Sequence, residues 1–222
     1  MFFSTTDRKG VIRSGNEVFV RVSGYALDEL LGQPHNIIRH PDMPRAVFRK
    51  LWQQLHDGRA IAAYVKNLAR DGCYYWVVAL ITPLDGGFLS IRFKPSTPLL
   101  AKVEKLYAAM RAAERAHGDK GGQARAGMDA ADRVLAEALA AEGFADYDHF
   151  MWAMVHAEMK SRAAGLRGGT ARHGGATPAG ASAASEARTS SMSTSSAGMV
   201  RPTRAQIAAR HRFAGAPRSD GS

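Results

Sequence analysis

Cysteine is almost missing from this chain: Cys73 is the only one in 222 residues. That excludes a framework of internal disulfides and any zinc or iron–sulfur site built on clustered thiolates. Apolar runs are short, and none approaches the roughly 20 residues that a membrane-spanning helix requires. The start, Met1-Phe2-Phe3-Ser4-Thr5-Thr6-Asp7, has no basic segment followed by an apolar stretch, so a secretory leader is not expected. The eight histidines lack metal-ligand spacing, since His35 and His40 fall on a loop and His149 and His156 stand two helical turns apart. No Walker loop, Gly-x-Ser-x-Gly elbow or Gly-x-Gly-x-x-Gly fingerprint occurs where a strand meets a helix. A soluble, cytoplasmic, non-enzymatic protein is the expectation.

What is present divides unevenly. Hydrophobic residues make up 45% and the net charge is +10, but the basic excess lies mostly beyond residue 159, while residues 99–159 are net acidic. Such a charge attracts polyanions weakly and says little about fold; nucleic acid is not an expected partner. From about Gly165 the chain is Ala, Gly, Ser, Thr and Arg. It buries too little apolar surface to offset ordering entropy, so residues 165–222 are expected to be a disordered basic tail, with at most a short helix at Arg204–Phe213. Before it, residues 98–164 read as three amphipathic helices: 99–117, Met128–Ala141 and Tyr147–Ala164. Gly118 and Gly121-Gly122 are expected to end the first. The helices need a surface to pack on, whether residues 1–97, each other or a second copy.

Residues 1–97 alternate differently. A short strand at Val11–Ser14 follows the turn Asp7-Arg8-Lys9-Gly10, and short helices are expected at Asn16–Val22 and Leu27–Leu31. Asp42 is a candidate cap for a helix reaching Leu55. Strands follow at Ile61–Leu68, Tyr74–Thr82 and Phe88–Lys94, separated by Asp71-Gly72 and Asp85-Gly86-Gly87, both hairpin signals. In the last strand Leu89, Ile91 and Phe93 alternate with Ser90, Arg92 and Lys94, which predicts a buried face and a wet one. The order predicts an α+β fold, one antiparallel sheet with short helices on one face.

Three stretches carry a resemblance. The first is Ser4-Thr5-Thr6-Asp7, Gly10-Val11-Ile12, Asn16, Phe19, Val22-Ser23-Gly24-Tyr25 and Glu29-Leu30. The second is the long run Gly32-Gln33-Pro34-His35-Asn36-Ile37-Ile38-Arg39-His40-Pro41-Asp42-Met43-Pro44, with Phe48 and Trp52. The third is Val65-Lys66-Asn67, Tyr75-Trp76-Val77 and Ser90-Ile91-Arg92. Together, over about residues 2–95, they resemble PAS domains of the bacterial aerotaxis-receptor type. The resemblance implies a five-stranded PAS sheet and a sensor module that holds FAD without covalent attachment. It further implies that the flavin's redox state reports oxygen or respiratory flux to a cytoplasmic signalling partner, with a homodimer as a further option. Histidine-ligated haem and a cofactor-free dimerisation or scaffold module are the alternatives. Two positions depart from the pattern: Ala26, where many PAS domains place a capping Ser or Thr, and Ile61, where the receptor type has a tryptophan.

The residues themselves offer a candidate site. Arg39 and His40 suit the anionic end of a dinucleotide, with Asp42 as cap and orienter, beside a helix N-terminus that also favours an anion. The plainer alternative pairs Arg39 with Asp42 to fix the loop. Phe48 and Trp52, four apart on one helix face, are either core or cavity wall. Asn67 shares the parity of Ile61, Ala63 and Val65, which aims a buried amide inward, where it needs a partner. Asn16 is a second such amide or a helix cap. His35 and Asn36 either join the site or shape the turn. Cys73 follows a hairpin turn rather than sitting in a helical Asn-Cys-Arg run, so a flavin photoadduct is not expected.

Overall fold

The computed structural model describes residues 1–118 and 120–170; the expected low-complexity tail lies, from residue 171, outside the described residues. Two strands, β1 (Phe2–Asp7) and β2 (Ile12–Gly15), lead into short helices α1 (Glu17–Ser23) and α2 (Leu27–Leu30). A single 3₁₀ turn (His35–Ile38) precedes α3 (Arg45–His56). Then come β3 (Ile61–Leu68), β4 (Tyr74–Leu84) and β5 (Gly87–Phe93), followed by α4 (Leu99–His117), α5 (Gly121–Ala141) and α6 (Tyr147–Thr170). The strands form one antiparallel sheet in the order β2-β1-β5-β4-β3. No helix among the described residues is long and apolar enough to cross a membrane.

Three boundaries differ from the sequence expectation. Gly121-Gly122 opens α5 rather than terminating α4, and α6 runs past Gly165 to Thr170. Helix α3 begins at Arg45 behind Pro44, not at Asp42. Asp42 instead pairs with Lys66 Nζ at 2.8 Å. Proline fits a helix start without offering a side-chain acceptor, and the acceptor comes from elsewhere: Glu114 of α4, 3% exposed, takes the Ala46 N–H at 2.9 Å. Close approach of α4 and α5 depends on Gly127, because a Cβ there would lie 2.8 Å from the Glu114 carbonyl oxygen.

The last strand reverses the expected polarity at residues 89–92, while Phe93 is buried and Lys94 exposed as expected. Ser90 and Arg92 are each 5% exposed and face the helices α1 to α3, whereas Leu89 and Ile91 are only half-buried. Alternation identifies two faces without saying which one meets the core.

The C-terminal helices pack along the edge strand β3 and against α3. Edge strands expose unpaired backbone groups that invite further pairing. Here Tyr147 OH donates to the Ala62 carbonyl, Met151 Sδ lies 2.9 Å from the Ala62 nitrogen, and Tyr107 OH donates to the Tyr64 carbonyl. Nearer the other end, the His40 N–H meets the Lys66 carbonyl and Met43 Sδ lies against the Lys66 nitrogen. Groups from three separate segments, α6, α4 and the loop before α3, thus close the edge. Asp148 ties the start of α6 to Gln54 within α3 and to Arg59 beyond its end, and Arg49 bridges to Asp129 and Asp132 of α5.

Candidate functional site

Between the inner face of the sheet and α3 lies a cavity of about 380 Å³, within the range of ordinary small-molecule sites. Helix α3 contributes Phe48, Leu51, Trp52 and Leu55 on one side, at the three- and four-residue spacing of a single helix face. The sheet contributes Val65 and Asn67 from β3, Ala79 and Ile81 from β4, and Phe88, Ser90 and Arg92 from β5. The register sets Ala79 opposite Arg92, so a methyl group stands where a larger side chain would fill the space. The remaining wall is Thr6, Lys9, Gly10 and the segment Pro34, His35, Asn36 and Arg39. Gly10 has φ +79° and its α-carbon abuts Trp52; a Cβ would come 2.8 Å from the indole.

Six of the nine residues singled out in the sequence line this cavity: His35, Asn36, Arg39, Phe48, Trp52 and Asn67. Arg39 lays its guanidinium over the Phe48 ring, 4.1 Å from the centroid, and donates to the Met43 carbonyl at 3.2 Å. Burial pulls its pKa down to about 10, partly offset by the Glu114 carboxylate. Trp52 meets Phe88 edge to face at 5.8 Å. Asn67 is 3% exposed, and among the described residues its Nδ2 finds no hydrogen-bond partner; the same is true of Ser90 Oγ and of Tyr75 OH on the neighbouring strand.

Asn16, His40 and Asp42 are placed elsewhere. Asn16 caps α1, accepting from Phe19 N at 3.2 Å, and also accepts from Phe3 N. His40 is turned toward Tyr74 and Lys66, on the opposite side of β3 from the cavity. Burial and the Lys66 charge lower its pKa to about 4, so it is neutral, and its Nδ1 accepts the Asp42 N–H at 3.1 Å. Asp42 is taken by Lys66, and its pKa is lowered by that contact against the opposing effect of burial. Cys73 lies in the β3–β4 turn, where its N–H meets Asp71, and does not line the cavity.

Sequence reasoning passed over Arg92 and Ser90. Nη1 of Arg92 donates to Ser4 Oγ at 2.9 Å and Nη2 to His35 Nε2 at 2.8 Å. Burial and Arg92 hold the His35 pKa well below the ordinary imidazole value, which leaves a neutral ring whose Nε2 accepts. Tyr75, paired with Asn67 across the strands, has its pKa raised by burial and drawn back by Arg92 and Asn67. One signal was available: Ser90 and Arg92 share the parity of Phe88, which the hairpin places beside the cavity.

A five-stranded antiparallel sheet closing over short helices and a long cavity-lining helix is the architecture of a PAS domain, and residues 12–90 match the family model described as the PAS fold. More narrowly, the chain is similar to the aerotaxis receptor of Escherichia coli (strain K12): 46% identical over 114 residues, which is 49% of this chain and 22% of that protein. It is 35% identical over 81 residues to a nitrogen fixation regulatory protein of Klebsiella pneumoniae, covering 36% of this chain and 16% of that one. A biofilm dispersion protein of Pseudomonas aeruginosa is 30% identical over 82 residues, covering 36% and 20%. The chain therefore spans between 16% and 22% of the length of these curated relatives. Among solved structures, a light-oxygen-voltage domain superimposes with a TM-score of 0.43 at 23% identity, covering 47% of this chain and 84% of that one.

Proposed function

We propose that this PAS domain is a sensor that holds FAD non-covalently in the cavity and reports the flavin's redox state to a signalling partner in trans. The observation that carries this reading is the pair of cavity-lining polar groups that are buried without a hydrogen-bond partner among the described residues, Asn67 Nδ2 and Ser90 Oγ, on the floor of an otherwise largely apolar cavity. Buried amides and hydroxyls are normally hydrogen-bonded. A planar heterocycle with a polar edge would supply the missing acceptors, and Phe48, Trp52 and Val65 are the apolar lining residues that would hold it. The more exposed lining residues, Lys9, Asn36 and Arg39, suit a pyrophosphate leading out of the cavity. The aerotaxis relative supports the signalling context.

When bound, the flavin supplies reversible two-electron chemistry answering to oxygen or respiratory electron flow. The protein's part is to seat the ring and exclude water from its floor. Haem finds less support, because the imidazole that lines the cavity, His35, already uses Nε2 as an acceptor for Arg92.

The absorbance spectrum of the purified protein, as isolated and after incubation with FAD, tests the reading. Flavin bands that persist through gel filtration are expected. A colourless protein that takes up no FAD overturns it in favour of a cofactor-free scaffold, and a Soret band overturns it in favour of haem.

A further inference from the structure

Helix α6 crosses the outer face of the sheet and covers only part of it. Met151 lies against Ala62, Glu158 accepts from Tyr64 and Ser96, and Arg162 stands over the Phe93 ring. Tyr64, Val78 and Phe93, buried on this face, are neighbours across β3, β4 and β5. The next row, Leu80, Ile91 and Phe3, is in register across β4, β5 and β1 and stays half-buried or exposed. Met1 shares the outward parity of Phe3, since Phe2 and Ser4 are buried, and Leu84 shares that of Leu80. On α6, Trp152, Val155 and Met159 follow helical spacing along the flank turned away from Phe150, which packs on Phe144 and Tyr147. Asp148 on the same flank reaches Arg59 ahead of β3, so the flank borders the sheet on the Leu80 side. Of the seven large apolar side chains exposed among the described residues, Met1, Phe3, Leu84, Trp152 and Met159 thus gather on one face, and the other two belong to α2. Exposure gathered in this way marks a surface that is covered by something.

We infer that this face is covered in cis by the chain's own basic segment, residues 199–213. Of the five larger apolar side chains beyond residue 170, four fall in that segment: Met199, Val200, Ile207 and Phe213, interleaved with Arg201, Arg204, Arg210 and Arg212. Guanidinium groups stack on aromatic rings, and Phe3 and Trp152 offer two exposed ones. Asp85, in the turn beside Leu84, has no ion-pair partner among the described residues and adds a carboxylate. Lys94, Lys160 and Arg162 stand at the other end, where α6 leaves the sheet, and direct a basic segment toward Trp152 and Asp85. The tether fits. Residue 199 follows Thr170 by 29 positions of Ala-, Gly- and Ser-rich chain, whose root-mean-square span is about 30 Å. The path from Thr170 back along α6 to Trp152 is about 27 Å. A tether matched to its span holds the segment at roughly millimolar effective concentration, so weak contacts suffice, and any partner for this face must first displace it. The inference does not depend on what fills the cavity.

The full chain with photoreactive benzoylphenylalanine in place of Phe213 is irradiated as a mixture of light and isotopically heavy protein, and cross-linked peptides are identified by mass spectrometry. Cross-links from position 213 to Met1, Phe3, Leu84, Trp152 or Met159 are expected, each within one chain. In parallel, hydroxyl-radical footprinting compares the wild type with the full chain carrying Ile207→Asp and Phe213→Asp, which disturb none of the contacts above. Oxidation of Trp152 and Met159 is expected to rise severalfold in the variant, while that of the buried Met110 stays constant. Cross-links between light and heavy chains on this face overturn the inference in favour of a second copy. Cross-links confined to other surfaces, or equal oxidation of Trp152 and Met159 in both proteins, overturn it outright.

Discussion

At the level of single residues, Asn67 and Arg39 do separable things. Asn67 sits on β3 with an unsatisfied amide nitrogen toward the cavity, and a side-chain amide can present either a donor or an acceptor as a ligand's protonation changes. Replacing it by leucine keeps a similar volume and removes that ability. We predict that Asn67→Leu still takes up FAD but loses any oxidised-versus-reduced difference in hydrogen exchange over residues 95–117; a difference that persists in the variant counts against a signalling role for the amide. Arg39 is held by the Phe48 ring and the Met43 carbonyl rather than by a core partner. Arg39→Ala is therefore expected to leave the fold intact and to weaken FAD binding by about 1.5–3 kcal/mol, the value of a lost charge-assisted hydrogen bond. Isothermal titration with FAD reads the change, and unaltered affinity would return Arg39 to a purely structural role.

Among the elements, one carboxylate gathers the donors at the joint between the sheet, the connector to α4 and α6. Glu158 of α6 is fully buried and accepts from Tyr64 OH at 2.6 Å, Ser96 N at 2.7 Å, Ser96 Oγ at 2.7 Å and Thr97 Oγ1 at 2.7 Å. Those donors belong to β3 and to the connector between β5 and α4. Because they outweigh the effect of burial, they hold the Glu158 pKa below the ordinary glutamate value. Glu158 thus links β3 to the segment just before α4, beside the direct contact of Tyr107 with the Tyr64 carbonyl. We predict that Glu158→Gln, which retains shape but turns an acceptor oxygen into a donor, destabilises the protein by about 1–3 kcal/mol. Protease cleavage near residues 94–98 should rise with it, and a variant with wild-type denaturation midpoint and cleavage pattern would contradict the assignment. Glu114 makes a similar joint at the start of α3. Its removal in Glu114→Ala is expected to cost about 1 kcal/mol, as for a lost helix cap, measurable by urea unfolding.

For the whole molecule, the buried histidines set the acid limit. His40 has a folded pKa of about 4, below its ordinary value of 6.5, and that of His35 is lowered as well. The unfolded chain therefore binds more protons than the folded one in this window, so stability is complete above about pH 6.5 and falls as the pH drops toward 4. Glu158 and Asp42, whose folded pKa values are also lowered, extend the loss to more acidic pH. Urea midpoints measured across this range should decline from near pH 6.5 downward. His40→Gln should flatten the slope, recovering about 3 kcal/mol of the acid-induced loss. An unchanged slope in the variant would mean that His40 is protonated in the fold.

The sequence by itself determined β2 to β5 and the α+β order, because hairpin glycines and alternation are local properties. The 99–117 helix and β3 fall where the pattern puts them. It also pointed to Phe48, Trp52 and Asn67, since helical spacing and strand parity aim those side chains inward, and to Arg39 as a loop charge suited to an anion; all four line the cavity. Which face of β5 meets the core was a tertiary decision. Ser90 and Arg92 look like the wet side of an amphipathic strand, and only the sheet closing over α3 turns them into the cavity floor. The same holds for Glu114 and Glu158. Each is an ordinary charge on an amphipathic helix until α4 and α6 dock against α3 and β3, and the donors that explain it come from residues more than 60 positions away. Local patterns specify the periodicity of burial; which polar groups meet inside the protein depends on contacts distant in the chain, which no window of sequence contains.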